Sequence, residues 1–124
     1  MKSERDESLE FLPQWTDQGL IPAIAQDVDT KDILMMAWMN EEALQATLES
    51  GYAHYWSRSR KALWKKGERS GNIQELIEIR VDCDQDTLLL LVKQSGPACH
   101  TNRLSCFYRS LKTLKKLQFL DIGQ

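Results

Sequence analysis

Ile77-Glu78-Ile79-Arg80-Val81-Asp82-Cys83-Asp84-Gln85-Asp86-Thr87-Leu88-Leu89-Leu90-Leu91-Val92 is the stretch on which the fold turns. Ile77, Ile79, Val81 and Cys83 keep one phase, with Glu78, Arg80 and Asp82 opposite, the period of two expected of a half-buried strand. The apolar run that follows predicts a further strand over 87–94. If the strand phase continues through the acids, Asp82, Asp84 and Asp86 share one face and Cys83 lies on the other, buried face. Converging carboxylates repel one another and need a cation, and hard oxygen ligands suit Mg²⁺, Ca²⁺ or Mn²⁺.

Cys99-His100 and Cys106 follow this segment. Three cysteines suit Zn²⁺, and three protein ligands instead of four leave an open position where zinc holds a reactive water. Together the residues imply a metal-dependent hydrolase. Bland alternatives exist for each part. A D-x-D-x-D run is commonly a solvated turn or a calcium loop, and three cysteines in a reducing cell are often unrelated small hydrophobes. The EF-hand version fails: its sixth and twelfth positions demand Gly and Glu, but counting from Asp82 they hold Thr87 and Lys93.

A chain of 124 residues, 42% of them hydrophobic, supports one core and one domain. A net charge of −2 gives no general attraction to nucleic acid. The polar start, from Met1 to Glu7, lacks an apolar run for export, and an odd cysteine count cannot pair off, so a reduced cytoplasmic protein is expected. The longest apolar stretch, Ile33 to Met39, is far shorter than the roughly 20 residues of a membrane span. The expected divisions are an N-terminal segment (1–19), loosely ordered until Phe11, Leu12 and Trp15 dock, a domain over 20–111, and a basic amphipathic tail over 112–124.

Pro22 to Val28, the turn Asp29-Thr30-Lys31-Asp32, and Ile33 to Met39 predict a β-hairpin. Its second strand is apolar on both faces, which implies cover by a helix on one side and by a second subunit on the other. Asn40 is an N-cap, Glu41 and Glu42 complement the helix dipole, Ala43, Leu44, Thr47 and Leu48 form the stripe, and Gly51 ends the helix. Tyr52 to Ser59 reads as a strand, with His54 a packed, hydrogen-bonded residue, and Leu63 to Asn72 as a basic loop whose Arg, Lys, Ser and Gly suit phosphate. Trp64 reads as core more readily than as a stacking platform. Ser95 to Asn102 turns the chain, and Ser105 to Leu111 makes a last strand or short helix. The class is α+β: mostly antiparallel strands with a covering helix.

Trp56-Ser57-Arg58-Ser59-Arg60, Leu63-Trp64-Lys65-Lys66-Gly67-Glu68-Arg69-Ser70-Gly71-Asn72, Asp82 to Asp86, Gly96-Pro97-Ala98-Cys99-His100-Thr101 and Ser105-Cys106-Phe107 closely resemble the phosphoribosyl-AMP cyclohydrolases, which open the adenine ring of their substrate in histidine biosynthesis. The resemblance runs from about Leu20 to Tyr108. It implies Mg²⁺ on Asp82, Asp84 and Asp86, and Zn²⁺ held by Cys83 of one subunit with Cys99 and Cys106 of its partner in an intertwined homodimer. Where the family pattern has Gly after His-Thr, this chain has Asn102, the non-glycine residue that best tolerates a left-handed backbone. The family also occurs fused to a pyrophosphohydrolase domain, and a chain ending at Gln124 is expected to perform ring opening alone.

The resemblance further implies attack at C6 of the N1-alkylated adenine by zinc-bound hydroxide, with His100 as base. Alternatively, His100 hydrogen-bonds the loop or is a fourth zinc ligand. Arg58, Arg60, Lys65 and Ser70 are the candidate substrate contacts. Competing readings are a zinc nucleobase deaminase, a nucleic-acid module with structural zinc, and a thiol redox protein. The first needs H-x-E and P-C-x-x-C, the second four ligands with short knuckles, the third C-x-x-C. None of those motifs is present.

Overall fold

Two hairpins lie side by side, joined by a parallel pair of strands at the centre. In the computed structural model, which describes residues 4–120, β1 (Ile21–Asp27) and β2 (Ile33–Met39) form the expected antiparallel hairpin. Residues 1–3 of the polar start and 121–124 of the tail lie outside the described residues. The turn is held by Asp27, whose Oδ1 accepts from the backbone N–H groups of Asp29 and Thr30. Burial raises the Asp27 carboxyl's pKa, but these backbone donors outweigh it and leave the carboxyl below its ordinary value.

After β2 comes the helix Glu41–Ser50, numbered α2 because a single turn, α1 (Glu4–Glu7), precedes β1. Asn40 caps it as predicted, its side chain accepting from Ala43 N at 2.8 Å, and Gly51 ends it in the left-handed conformation at φ 79°. Ala43, Leu44 and Thr47 are buried beneath it, but Leu48, which the sequence placed in the same stripe, is exposed. Thr47 Oγ1 donates to Ala43 O and accepts from His54 N, fastening the helix to β3 (His54–Ser57).

β3 pairs with β4 (Ala62–Lys65), so Leu63, Trp64 and Lys65 are strand residues and the basic loop begins only at Lys66. The alternation Ala-Leu-Trp-Lys suffices for a short strand once His54 to Ser57 offers an edge. β5 (Gln74–Val81) and β6 (Leu88–Gln94) form the second long hairpin. The sheet order is β4-β3-β2-β1-β6-β5, with β1 and β6 parallel and every other pair antiparallel. Fold class is therefore α+β, mostly antiparallel and single-domain, as the sequence implied.

The central strands carry the core. Ile21, Ala23 and Ala25 of β1 meet Leu88, Leu90 and Val92 of β6, with Leu34, Met35, Met39, Ala43, Leu44 and Tyr55 around them. Each fully buried large side chain contributes roughly 1.5–3 kcal/mol relative to exposure. The polar atoms inside are paired: Tyr55 Oη donates to Gln74 Oε1 at 2.6 Å, and Gln74 Nε2 donates to Gln94 Oε1 at 2.9 Å. Burial pushes the Tyr55 phenol well above its ordinary pKa.

Three expectations are corrected. Asp82 to Asp86 is a turn, not a strand: β5 stops at Val81, and Asp82 Oδ1 accepts from the N–H groups of Asp86 and Thr87, replacing ladder bonds with a local one. Cys83 is consequently exposed, as are Ile77 and Val81 on the same phase. The tail is a hairpin, β7 (Arg109–Thr113) with β8 (Lys116–Phe119), and Ser105 to Tyr108 is irregular. The segment before Phe11 is already fastened, since Gln85 donates to the carbonyls of Arg5 and Glu10.

Asn40→Ala should lower unfolding stability by about 1 kcal/mol while Asn40→Gly loses a few tenths, because the cap's carbonyl satisfies an otherwise orphaned helix donor. Urea denaturation of the two variants measures the difference.

Candidate active site

The acidic turn brings its carboxylates together without strand alternation. One oxygen each from Asp82, Asp84 and Asp86 lies within 4.8 Å of the others, close enough for a single cation to bridge. Gln85 makes this possible by taking φ 58°, which folds the chain between Asp84 and Asp86. The donor set is all hard oxygen, so it fits Mg²⁺ or a similar ion.

The cysteines divide. Cys106 is pinned to β2 by its N–H to Leu34 O at 2.7 Å, and Ser105 Oγ donates to Ile33 O at 2.6 Å. Cys99 is brought to it by a tight turn in which Asn102 N donates to Cys99 O, and Asn102 takes φ 73°, the left-handed backbone that its position demanded. The two sulfurs are hydrogen-bonded. Cys83 does not join them. Among the described residues the aspartates are the one group of three or more metal-ligating side chains that converges.

Of the two thiols, Cys106 is the harder to deprotonate. Its partial burial, then the neighbouring Cys99 and the hydrogen bond to it, push the thiol up to about 11, with the Lys66 charge opposing. For Cys99 burial also raises the pKa. The Thr101 hydroxyl at 3.0 Å, the Thr101 N–H, the Cys106 thiol and the Arg103 charge outweigh it, leaving Cys99 below the ordinary thiol value. Lys66 is the residue that sequence reasoning missed here. It is half-buried, its Nζ donates to Ala98 O at 2.6 Å, and burial lowers its pKa while the two cysteines raise it. Only its place in a basic run next to the motif pointed to it.

Arg60, Lys65 and Ser70 line one cavity of about 220 Å³ with Trp64, Gly67, Glu68 and Arg69. Arg58 lies apart, its guanidinium 4.9 Å from the Trp38 ring, in a separate cavity with Gln18, Leu20, Trp56 and Lys61. Lys65 Nζ sits 4.7 Å from the Tyr52 ring centroid. His54 is a packed residue as expected, its Nδ1 2.8 Å from Tyr52 O, and Trp64 packs against the core with its ring 5.2 Å from Tyr55. His100 is exposed on the cysteine loop.

Loop 66–73 and the cysteine loop are tied together. Beyond the Lys66 contact, Ser95 N donates to Ile73 O and Gln94 Nε2 to Asn72 O. Gly96 is required for that closeness, since at φ 72° a Cβ there would meet Asn72 Oδ1 at 2.4 Å, and Gly67 closes loop 66–73 on itself: at φ 80°, a Cβ there would meet Asn72 and Ile73 backbone atoms at 2.4–2.5 Å. The basic cavity, the thiol pair and His100 thus belong to two mutually fastened loops of one chain.

Such an assembly of basic cavity, sulfur pair and acidic turn on an α+β scaffold has the equipment of a small hydrolytic enzyme. The phosphoribosyl-AMP cyclohydrolase family profile matches residues 35–108. Proteins named phosphoribosyl-AMP cyclohydrolase align over most of the chain. The Hyphomonas neptunium protein is 62% identical over 110 residues, covering 89% of this chain and 84% of its own length. That of Archaeoglobus fulgidus is 64% identical over 99 residues, 80% and 92% respectively, and that of Sphingopyxis alaskensis is 56% identical over 120 residues, 97% and 95%. The chain belongs to the phosphoribosyl-AMP cyclohydrolase family and is an enzyme of that family.

Gly67→Ala should cost more than about 2 kcal/mol of stability, because rigid backbone blocks the new methyl and the backbone is left-handed. Gly71→Ala, at φ 81° with nothing within 4 Å, should cost only the left-handed penalty of about 1–2 kcal/mol. Equal losses by urea denaturation would contradict the close approach at Gly67.

Proposed function

We propose that the enzyme hydrolyses the N1–C6 bond of the adenine ring of phosphoribosyl-AMP, a step of histidine biosynthesis, in the reducing cytoplasm where three thiols stay free. The observation that carries this reading is the fastening of the basic cavity to the Cys99–His100–Cys106 loop, which supports phosphate-binding groups beside a base and metal ligands. The substrate carries phosphates and a ring to be opened, and this pair of loops offers contacts for both.

In the proposed reaction an oxygen from water bonds to C6, the N1–C6 bond breaks, and the water proton passes to nitrogen. His100, exposed and adjacent to Cys99, takes and returns that proton in this reading. Arg60, Lys65 and Ser70 hold a phosphate, while Arg58, in a separate cavity, is a further anion contact. Asp82, Asp84 and Asp86 would hold Mg²⁺, which would supply a charge that orients the substrate. A zinc ion on the cysteines would supply a water of lowered pKa next to His100, moderated by three anionic thiolates.

The family resemblance implies a zinc site shared across an isologous homodimer, Cys83 from one chain with Cys99 and Cys106 from the other, and the separation of Cys83 from Cys99 and Cys106 within one chain supports that reading. Exposed apolar residues support a second copy. Ile77, Val81, Phe107, Leu111, Leu117 and Phe119 all lie open to solvent in the single chain. The β7–β8 hairpin forms a sheet of its own, and isolated two-stranded ribbons are marginal in water, so it is suited to packing on a partner.

Incubation with phosphoribosyl-AMP should give ring opening visible in the ultraviolet absorbance, and an inert substrate would remove the reading. His100→Asn should lower turnover by about 10²- to 10⁴-fold at neutral pH with zinc retained. Loss of zinc in that variant would make His100 a ligand. Serine at Cys83, Cys99 or Cys106 should strip the zinc, as elemental analysis would show.

A further inference from the structure

The acidic turn is not free-standing. Gln85, between Asp84 and Asp86, is only 6% exposed although it sits at the tip of a hairpin loop. Its side chain is consumed by the N-terminal segment: Oε1 accepts from Leu12 N at 2.6 Å, and Nε2 donates to the carbonyls of Glu10 at 3.2 Å and Arg5 at 3.4 Å. The same segment grips the turn's backbone. Gln14 N donates to Gln85 O at 2.8 Å, and Gln14 Nε2 donates to Asp84 O at 2.7 Å. Residues 5–14 therefore run as a strap across the loop that carries the three carboxylates.

A glutamine at φ 58° is an unfavourable choice for the backbone, costing roughly 1–2 kcal/mol where glycine would cost nothing. The side chain explains why it is there. Its three bonds anchor residue 85 to the strap, while the bonds from Gln14 to Asp84 O and Gln85 O hold the peptide planes on either side of it, and those planes set the directions of the neighbouring carboxylates. Three like charges would spread apart in a loose loop, but in this anchored turn one oxygen of each lies within 4.8 Å of the others.

We propose that Gln85, held by the strap of residues 5–14, is a positioning residue that preorganises Asp82, Asp84 and Asp86 for a divalent cation. The inference rests on the proposed cation site and deepens it: affinity at the turn depends on a segment that contributes no ligand. Groups that orient metal ligands are commonly worth about 10- to 100-fold in metal affinity.

The test is titration of the zinc-loaded, full-length protein with Mn²⁺, followed by electron paramagnetic resonance of the free ion. Gln85→Gly relieves the left-handed strain while deleting the side chain, so a backbone role alone predicts unchanged or tighter binding. Positioning predicts binding weakened about 10- to 100-fold with zinc content unchanged. Gln14→Leu removes the strap's side-chain bond to Asp84 O without altering any residue of the turn, and should weaken binding in the same direction. Wild-type affinity in a folded Gln85→Gly protein overturns the inference; if that variant does not fold, wild-type affinity in Gln14→Leu does so. Asp84→Asn separates the two readings. If it binds Mn²⁺ as wild type does, the cation site itself is wrong.

Discussion

The parallel pairing of β1 with β6 is the constraint on which the rest of the molecule depends. It aligns Ala23 with Leu88 and Asp27 with Val92, and so fuses two antiparallel hairpins into one sheet with a shared core. Parallel neighbours must be buried on both faces, and β6 obeys: Leu88, Leu90, Leu91 and Val92 are all buried. Because β6 is rigid and central, whatever the chain does at its two ends is held apart. The acidic turn enters it at Leu88, and the cysteine loop leaves it at Gln94.

That separation explains the division of the sulfurs. Cys83 belongs to the turn beyond the start of β6, whereas Cys106 is anchored to Leu34 on β2, beyond β1 in the sheet order and roughly two strand spacings, or about 10 Å, from β6. Cys99 follows Cys106, held by the hydrogen bond between them. The scaffold thus builds complete carboxylate convergence within one chain but only two-thirds of a cysteine site. Under the proposed function the missing sulfur comes from a second chain, whose arrival would also cover the exposed β5 and β7–β8 apolar residues.

Much of this was legible in the sequence, and the failures have physical reasons. The first hairpin, the Asn40 cap and the Gly51 stop followed from local chemistry that tertiary context did not override. Asn102 is left-handed for the reason its side chain suggested. The acidic segment misled because its apolar phase continued smoothly from Ile77 to Cys83, while Asp82 used its own carboxylate to cap the backbone and ended the strand. Its three aspartates still converge, by way of a turn. Gln85 and Lys66 were invisible as site-shaping residues, since their roles arise from contacts about seventy and thirty residues away in the chain. Leu48 illustrates the limit of a stripe read from spacing: the sequence placed it in the stripe, yet it is exposed.

The central claim is that a functional zinc site needs two chains, and complementation tests it most directly. Cys83→Ala and Cys106→Ala proteins should each be inactive as homodimers. In a mixed dimer one site collects both substitutions and the other receives an intact Cys83 and an intact Cys106, so co-refolding should restore up to about half of the wild-type ring-opening activity per mixed dimer. A mixture that forms heterodimers yet stays inactive would contradict the shared site.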